Sequence, residues 1–332
     1  MSGAGESSVV VVTDHGFPDL DQERAVLAEV GARLEVAPTP DGPGLVTAAR
    51  DADALLVQFA RIDAELIDQL RRCRVIVRYG IGVDTIDLAA ATRRGIAVVN
   101  VPDYALDEVA DHALALLLAS ARRLVRVALQ VRDGTWDLSP CRPLRSLSSM
   151  TLGLAGFGAI ARRVASRARA FGMRVVAYDP FVDADTFARA GVTSVDWEGL
   201  LEGSDAISVH VPLTEATHHL FDASAFEAMR PGVLFVNASR GGVVDGEALL
   251  AALRSDRVAA AGLDVLESEP PADADPLVHH PNAIVTSHCA WYSEESLRRL
   301  QRLAAEEVAR ALRGERPRHV VNGPLTRGET SG

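Results

Sequence analysis

Short runs of apolar residues alternate with longer amphipathic stretches along almost the whole chain. A Val-, Ile- or Ala-rich run bounded by turn residues is typical of a buried strand, whereas apolar positions three and four residues apart are typical of a helix. The alternation predicts a parallel α/β architecture. The strands predicted in the first third are residues 9–13, 33–36, 54–57, 75–77 and 97–99, with helices such as 22–30 and 64–70 between them.

The alternation breaks near Pro102 and resumes after residue 149. A long helix is predicted at about 105–131, and a polar segment with Pro and Ser follows at 134–149. The second series of predicted strands comprises residues 151–155, 174–178, 206–209, 233–236, 259–263 and 284–286, before a last amphipathic helix at about 293–312. Two such series predict two doubly wound units with a cleft between them, in which ligands bind at the carboxyl ends of the strands.

The composition is that of an ordinary folded protein, since 48% of the 332 residues are hydrophobic and 24% are charged. A net charge of −11 without a long Lys/Arg run argues against binding to nucleic acid or to an anionic membrane. The longest apolar run, residues 113–119, is far shorter than the roughly 18 residues that span a bilayer. With no secretory signal visible and three scattered cysteines, we expect a cytoplasmic protein.

A glycine turn at Gly156-Phe157-Gly158, followed by Ala161, fits the G-x-G-x-x-G/A fingerprint of a dinucleotide-binding strand, turn and helix. The first glycine permits the tight turn, and the second lets the backbone approach a pyrophosphate. Asp179 ends the next predicted strand, 21 residues after Gly158, where an acid that accepts the ribose hydroxyls belongs. Because this carboxylate would repel a 2′-phosphate, the predicted cofactor is NAD and not NADP.

Three later segments complete a set of motifs that resembles the D-isomer-specific 2-hydroxyacid dehydrogenase family. Each follows a predicted strand, and they read Asn-Ala-Ser-Arg-Gly-Gly at 237–242, Leu-Asp-Val-Leu-Glu-Ser-Glu-Pro at 263–270 and Ser-His-Cys-Ala-Trp at 287–291. Segments 76–84, 100–102 and 290–294 are most similar to the branch that contains the C-terminal-binding-protein corepressors and also bacterial enzymes. The resemblance implies an NAD-binding Rossmann domain at 103–288 and a discontinuous substrate-binding domain at 1–102 plus 289–332.

The chemistry of this family requires residue types that these segments contain. Arg240 offers a planar guanidinium, which can hold the carboxylate of a 2-oxo acid through two parallel hydrogen bonds. An imidazole titrates near neutrality, so His288 is the predicted proton donor to the carbonyl and proton acceptor from the alcohol. Glu269 is the predicted partner of His288, although Glu267, two residues earlier, is the alternative.

The resemblance also implies a wider set of binding residues. Asp264 would hold the nicotinamide carboxamide, and the N–H groups of Ile81 and Gly82 would bind the substrate carboxylate in an anion-binding turn. Trp291 is predicted to line the substrate pocket together with Arg240 and His288. The remaining predicted cofactor contacts are Gly156, Gly158, Ala159, Ile160, Asp179, His210, Val211, Pro212, Thr217, Ala238, Ser239, Arg240, His288 and Ala290.

The predicted function is that of an NAD-dependent dehydrogenase that interconverts a small 2-oxo acid and its D-2-hydroxy acid. The alternative is an NAD(H)-sensing scaffold that binds partner proteins, as the corepressor relatives do. No metal site is predicted, because the adjacent His pairs at 218–219 and 279–280 lack the i, i+4 spacing of two ligands. The helix at 105–131 is apolar on every face across 113–119, which predicts a homodimer that covers its outward face.

Overall fold

The computed structural model describes residues 7–323, which form two compact units. The first unit contains the chain up to Ala105 and again from Ser293, and the second unit runs from Leu106 to Tyr292. Each unit is built on one parallel sheet. The predicted fold class, α/β with two parallel-sheet, Rossmann-like domains, is therefore confirmed.

The first unit has a five-stranded sheet with the order β2-β1-β3-β4-β5. Its strands are β1 (Val9–Val12), β2 (Arg33–Val36), β3 (Ala54–Val57), β4 (Val75–Arg78) and β5 (Ala97–Val99), and its first helices are α1 (Asp21–Ala28), α2 (Gly42–Ala49), α3 (Ala64–Gln69) and α4 (Leu88–Arg93). The central strand β3 is fully buried, which explains its continuous apolar sequence. The strand order reverses between β1 and β3, so the carboxyl ends of these strands form the switch point where such sheets bind ligands.

The second unit has a seven-stranded sheet with the order β12-β11-β10-β9-β6-β7-β8. Its strands are β6 (Thr151–Ala155), β7 (Arg174–Tyr178), β8 (Thr193–Ser194), β9 (Ala206–Val209), β10 (Val233–Asn237), β11 (Val258–Leu263) and β12 (Ala283–Val285). Leu234 and Val236 pack into one core cluster, whereas Val233 and Phe235 pack into another. Because successive side chains of a strand point to opposite faces, both faces of this sheet are covered. Its switch point lies between β6 and β9.

The helices of the second unit are α5 (Leu106–Ala121), α6 (Leu124–Arg132), α7 (Ala159–Ala170), α8 (Ala184–Ala190), α9 (Trp197–Gly203), α10 (Ala223–Ala228) and α11 (Gly246–Arg254). The single helix predicted at 105–131 is wrong, because α5 and α6 are separate. Arg123, between them, has a left-handed φ of +49°, and its Nη1 donates a hydrogen bond to Oδ1 of Asn282 at 3.2 Å. Neither Gly nor Pro marks the break, so a tertiary contact overrides the local helix propensity here.

The apolar run at 113–119 is largely covered by its own unit. Ala113, Leu114, Leu116 and Leu117 are buried, and α5 packs against α7, β10 and β11. Leu116 lies directly on Gly262, where an added Cβ would be 2.8 Å from the Leu116 Cβ. Ala115 is exposed and Leu118 is partly exposed, so the expected homodimer stays a prediction.

The last helix, α12 (Glu294–Leu312), returns the chain to the first unit and packs against α1 and β4. Its start is fixed by a reciprocal cap, in which the Ser293 and Ser296 side chains each accept the other residue's N–H. Among the helices within residues 7–323, none combines the length and the apolar character needed to cross a bilayer.

Candidate functional site

The glycine turn lies at the switch point of the second unit, between β6 and α7. Gly156 has a φ of +89°, and an added Cβ would be 2.8 Å from the His210 carbonyl oxygen, so only glycine fits. An added Cβ at Gly158, the N-cap residue of α7, would meet nothing within 4 Å. Ala161 is fully buried. The start of this 12-residue helix is therefore open to a ligand, which fits the pyrophosphate of a dinucleotide.

Asp179 lies beside the glycine turn, directly after β7. Its Oδ2 accepts the N–H of Phe157 at 2.8 Å, and its Oδ1 accepts the N–H of Phe181 at 2.9 Å. The two bonds fix the orientation of the carboxylate next to the turn. Ala159 and Ile160, two further predicted contacts, form the first turn of α7.

The other wall of the glycine turn is formed by the residues that follow β9. The main-chain N–H of His210 donates to the Ala155 carbonyl at 2.8 Å. The ring Nε2 of His210 lies 2.9 Å from Oγ of Ser208. Burial lowers the pKa of His210 to about 4, so its ring is neutral at pH 7. Val211 Cγ1 approaches Gly156, at 3.0 Å from an added Cβ. His210 and Val211 thus line the turn without carrying charge.

The loop beyond these residues is closed by Thr217. Its hydroxyl donates to the Pro212 carbonyl at 2.6 Å and accepts the N–H of Thr214 at 2.8 Å. Pro212 and Thr217, both predicted cofactor contacts, are therefore joined in one compact turn.

Arg240 follows β10 in a turn that a buried amide fastens. Oδ1 of Asn237 accepts both the N–H and the hydroxyl of Ser239, and Nδ2 of Asn237 donates to the Arg240 carbonyl at 2.9 Å. Nη1 of Arg240 donates to the Ser239 carbonyl at 2.7 Å. Ala238 packs against the core. Sequence reasoning missed Asn237, which is an ordinary strand-end residue in the sequence.

Asp264 is buried at the end of β11 and is held by several donors. Its Oδ1 accepts the Thr286 hydroxyl at 2.6 Å and the Cys289 N–H at 3.0 Å, and its Oδ2 accepts the Ala290 N–H at 2.9 Å. Nε2 of His112 lies 3.4 Å from Oδ1. Burial raises the pKa of Asp264, but these hydrogen bonds lower it more, so its net pKa is below the ordinary value. The carboxylate is therefore ionised at neutral pH.

His112, Asp264 and Cys289 are ligand types that zinc accepts, and their ligand atoms lie within 4.8 Å of one another. However, Oδ1 of Asp264 already accepts hydrogen bonds from the Thr286 hydroxyl and the Cys289 N–H. A metal ion at Oδ1 would have to displace one of these donors. The arrangement favours a hydrogen-bonded carboxylate, and the absence of a metal site stays a prediction.

His288 and Glu269 form a close pair in the second unit. Nδ1 of His288 lies 2.6 Å from Oε2 of Glu269, whose Oε1 accepts the N–H of Leu266 at 2.9 Å. The main-chain N–H of His288 donates to the Asp264 carbonyl at 2.9 Å, and the backbone of His288 has a left-handed φ of +52°. Burial raises the pKa of Glu269, but hydrogen bonds from His288 and Leu266 and the nearby charge of Arg240 lower it below its ordinary value.

The alternative acid, Glu267, makes a different contact. Its Oε1 lies 2.5 Å from Nε2 of His219, so the structure brings Glu269 and not Glu267 to His288. Trp291 lies beside this pair, because its Nε1–H donates to the His288 carbonyl at 2.9 Å. The spacing of the two acids in the sequence could not separate their partners.

Ile81 and Gly82 belong to the first unit and follow the carboxyl end of β4. Gly80, just before them, has a φ of +134°, and the Ile81 carbonyl accepts Nδ2 of Asn100 at 2.8 Å. Within residues 7–323, neither the N–H of Ile81 nor that of Gly82 donates a hydrogen bond. This turn therefore has two main-chain donors with which it can bind an anion.

Comparison with known proteins identifies the second unit. Residues 114–290 match the family "D-isomer specific 2-hydroxyacid dehydrogenase, NAD binding domain". A D-3-phosphoglycerate dehydrogenase of Archaeoglobus fulgidus is 39% identical over 89% of this chain and 56% of its own length. A glyoxylate reductase of Korarchaeum cryptofilum is 40% identical over 85% of this chain and 86% of its own length.

The fold also matches a solved structure over nearly its whole length. The D-lactate dehydrogenase of Aquifex aeolicus, solved as a complex with NAD and lactic acid, has a TM-score of 0.84 and 29% identity. The match covers 96% of this chain and 100% of that chain. By contrast, this chain spans only 56% to 59% of the length of the archaeal phosphoglycerate dehydrogenases that it matches.

Proposed function

Because this chain belongs to the D-isomer-specific 2-hydroxyacid dehydrogenase family, we propose that it is an NAD-dependent dehydrogenase that interconverts a 2-oxo acid and its D-2-hydroxy acid. The observation that carries the proposal is the His288–Glu269 pair, with 2.6 Å between Nδ1 and Oε2. An oriented imidazole of this kind is suited to general acid–base catalysis. It lies in the unit whose glycine turn and Asp179 fit a dinucleotide.

His288 is the proposed proton-transfer residue. Glu269 binds Nδ1, so Nε2 is the ring nitrogen that donates a proton to the substrate carbonyl and takes one from the alcohol. The lowered pKa of Glu269 keeps its carboxylate ionised, so it can accept the hydrogen on Nδ1 and hold the ring in one orientation. NAD supplies the acceptor of the hydride in oxidation, and NADH supplies the hydride in reduction.

Arg240 is the proposed ligand of the substrate carboxylate. The hydrogen bond from Arg240 to the Ser239 carbonyl and the bond from the Asn237 amide to the Arg240 carbonyl fix the turn in which Arg240 lies. A planar fork suits a carboxylate because two parallel N–H groups match its two oxygens. We also assign carboxylate binding to the N–H groups of Ile81 and Gly82.

Asp179 is the proposed ribose ligand, and its negative charge favours NAD over NADP. Asp264 is the proposed ligand of the nicotinamide carboxamide, since its carboxylate is ionised and rigidly held. The other residues that we assign to the cofactor site are Gly156, Gly158, Ala159, Ile160, His210, Val211, Pro212, Thr217, Ala238, Ser239, Arg240, His288 and Ala290.

The substrate side chain is left open by the relatives, whose names indicate different acids. They include phosphoglycerate dehydrogenases and glyoxylate reductases. Trp291, anchored to the His288 carbonyl, is the proposed wall of the substrate pocket. The narrower resemblance to the corepressor branch stays a prediction, and the scaffold alternative is not favoured because the matched relatives are named as enzymes.

We also propose a homodimer and a cytoplasmic location. The three cysteines are free thiols, as expected in a reducing compartment. The dimer proposal rests on the outward face of α5, and also on α6 and the segment after it. Large apolar side chains are exposed there, namely Leu124, Val125, Leu129, Val131, Trp136 and Leu138.

The proposed activity is tested by NADH consumption against a panel of 2-oxo acids: glyoxylate, hydroxypyruvate, pyruvate, phenylpyruvate and phosphorylated acids. We expect turnover with at least one of them, and formation of the D isomer.

Arg240→Lys should lower kcat/KM by about 100-fold, because Lys cannot form the bidentate contact and the substrate is misplaced. Arg162→Lys on the exposed face of α7 is the matched control and should match wild type. No turnover with any acid, or full activity of Arg240→Lys, would contradict the proposal.

A further inference from the structure

Glu267 takes part in a second His–carboxylate pair of the second unit. Its Oε1 lies 2.5 Å from Nε2 of His219, and its Oε2 accepts the N–H of Gly246 at 3.1 Å. A carboxylate oxygen accepts hydrogen bonds, so this contact places the hydrogen of the pair on Nε2 of His219. The chemistry proposed above uses neither Glu267 nor His219, although both carboxylate oxygens are bound by groups from different segments.

His219 is also tied to the Arg240 turn, defined as residues 239–243. The main-chain N–H of His219 donates to the Gly242 carbonyl at 2.9 Å. Its φ of +50° is a left-handed conformation that is costly for a residue with a side chain, and the surrounding contacts must maintain it. The ring of His218 stacks on that of His219 with the centroids 4.0 Å apart. These contacts hold the His219 ring in one position relative to the Arg240 turn.

Glu267 belongs to the Glu269 loop, defined as residues 264–270, which packs directly on the Arg240 turn. An added Cβ at Gly241 would be 2.0 Å from the Leu266 carbonyl carbon and 2.4 Å from the Glu267 nitrogen. The N–H of Leu266 in turn donates to Oε1 of Glu269. A displacement of Glu267 is therefore transmitted through the adjacent Leu266 to Glu269.

We propose that His219 and Glu267 are positioning residues, whose pair locks the Arg240 turn against the Glu269 loop. The pair thereby sets the position of the Arg240 guanidinium relative to the His288–Glu269 pair. This inference rests on the proposed dehydrogenase function. A displacement of about 1 Å in an active site can cost about 100-fold in rate, so a lock outside the reacting groups has a measurable effect.

Steady-state kinetics of His219→Ala and Glu267→Ala test the lock. We expect each to lower kcat/KM by about tenfold, with a higher KM for the 2-oxo acid through Arg240 and a lower kcat through Glu269. The affinity for NADH, measured by fluorescence, should fall by less than kcat/KM, because most of the proposed cofactor contacts lie outside the two displaced segments. His219→Gln retains a side-chain N–H donor and should recover kcat/KM to within about threefold of wild type.

Two variants are matched controls. Glu247→Ala removes an exposed acid from the first turn of α11, next to Gly246, and His279→Ala removes an exposed histidine whose ring binds a main-chain carbonyl. Both should retain wild-type kinetics. A lower Tm of His219→Ala and Glu267→Ala with unchanged KM and kcat would reduce the pair to a structural role and overturn the proposal.

Amide hydrogen exchange tests the lock without any substrate. In the two alanine variants, exchange should become faster both at the Gly246 N–H and at the Leu266 N–H. Unchanged exchange in either segment would overturn the lock, whatever the activity of the wild type. A wild type that is inactive with every acid of the panel, but shows the exchange response, would instead contradict the proposed function alone.

Discussion

Nδ1 of His288 lies 2.6 Å from Oε2 of Glu269, although the two residues are 19 positions apart in the sequence. The other oxygen of Glu269 is held by the Leu266 N–H, so the carboxylate has one orientation toward the ring. This geometry stabilises a proton on Nδ1 and leaves Nε2 for the substrate. Glu269 therefore acts on the His288 ring both through its charge and by orienting the ring, and substitution of Glu269 can separate these two effects.

His288→Ala should lower kcat by about 10²–10⁴, the usual contribution of a positioned acid–base group. Glu269→Gln should have a smaller effect on kcat, because the amide oxygen can still accept the hydrogen on Nδ1 of His288 but carries no charge. Glu269, whose pKa is lowered, is a carboxylate at neutral pH, so this substitution removes a charge that is present in the wild type. Wild-type turnover of His288→Ala, or a greater loss of kcat in Glu269→Gln than in His288→Ala, would refute these roles.

Asp179→Ala should narrow the preference for NADH over NADPH. The loss of the carboxylate removes repulsion of the 2′-phosphate, and it also removes the acceptor of the Phe157 and Phe181 N–H groups. Asp179→Asn separates the two effects, because it retains an acceptor for the turn but has no charge. We expect the ratio of kcat/KM values to fall by about tenfold or more in both variants, as for the loss of one charged hydrogen-bonding partner. Equal use of the two cofactors by the wild type would contradict the assignment.

Local signals explain which parts of the structure could be predicted. Gly156, Gly158 and Asp179 were predicted from spacing, because a strand, a turn and the next strand suffice to place them together. The partners of Asp264 could not be predicted in this way. His112 approaches Thr286 to 3.0 Å from 174 positions away, and no periodicity encodes such a contact.

A tertiary contact also explains the error in the region of 105–131. Arg122 and Arg123 are good helix formers, so nothing in the sequence marks the end of α5 before the contact of Arg123 with Asn282 is known. Elsewhere in the second unit, the edge strand β8 was not predicted from the sequence, because Thr193 and Ser194 are exposed and do not belong to an apolar run.

Trp291→Ala should change the order in which the enzyme prefers 2-oxo acids. The indole is anchored by its N–H to the His288 carbonyl, so it presents a rigid apolar surface. We expect KM to rise more for phenylpyruvate than for glyoxylate, because the larger side chain loses more apolar contact. Trp291→Phe retains the apolar ring but not the hydrogen bond and serves as the control for the anchor. An unchanged ranking in Trp291→Ala would limit the residue to a structural role.

Glu23→Gln should alter how stability depends on pH. Glu23 is fully buried in the first unit, where it accepts the hydroxyl of Tyr79 at 2.7 Å and Nε2 of Gln301 at 3.1 Å. Burial raises its pKa above the ordinary value of 4.5, more than these hydrogen bonds lower it. A raised pKa in the folded state means that the contribution of this group is complete below pH 4.5 and is lost as the pH rises through the raised pKa.

The Tm of Glu23→Gln minus that of wild type should therefore increase as the pH is raised from mildly acidic to alkaline. Thermal unfolding followed by circular dichroism at a series of pH values measures this difference. Glu35→Gln, at a half-exposed position of β2, is the control and should show little dependence on pH. A difference in Tm that stays constant or decreases with rising pH would show that Glu23 is not the group responsible.

The exposed apolar surface of α6 predicts a dimer with a mass near twice 35.3 kDa. Leu124 and Leu129 are 62% and 48% exposed, and Trp136, a little further along, is 91% exposed. Exposed apolar patches mark association surfaces, and a two-fold partner is the commonest cover. Such an interface should bury above roughly 2,000 Å² in total.

Light scattering at low micromolar concentration should give the dimer for wild type and for Val36→Glu, which alters an exposed apolar residue of the first unit. Leu124→Glu combined with Leu129→Glu should give a folded monomer. A wild-type mass near 35 kDa would mean that α6 is not a dimer surface.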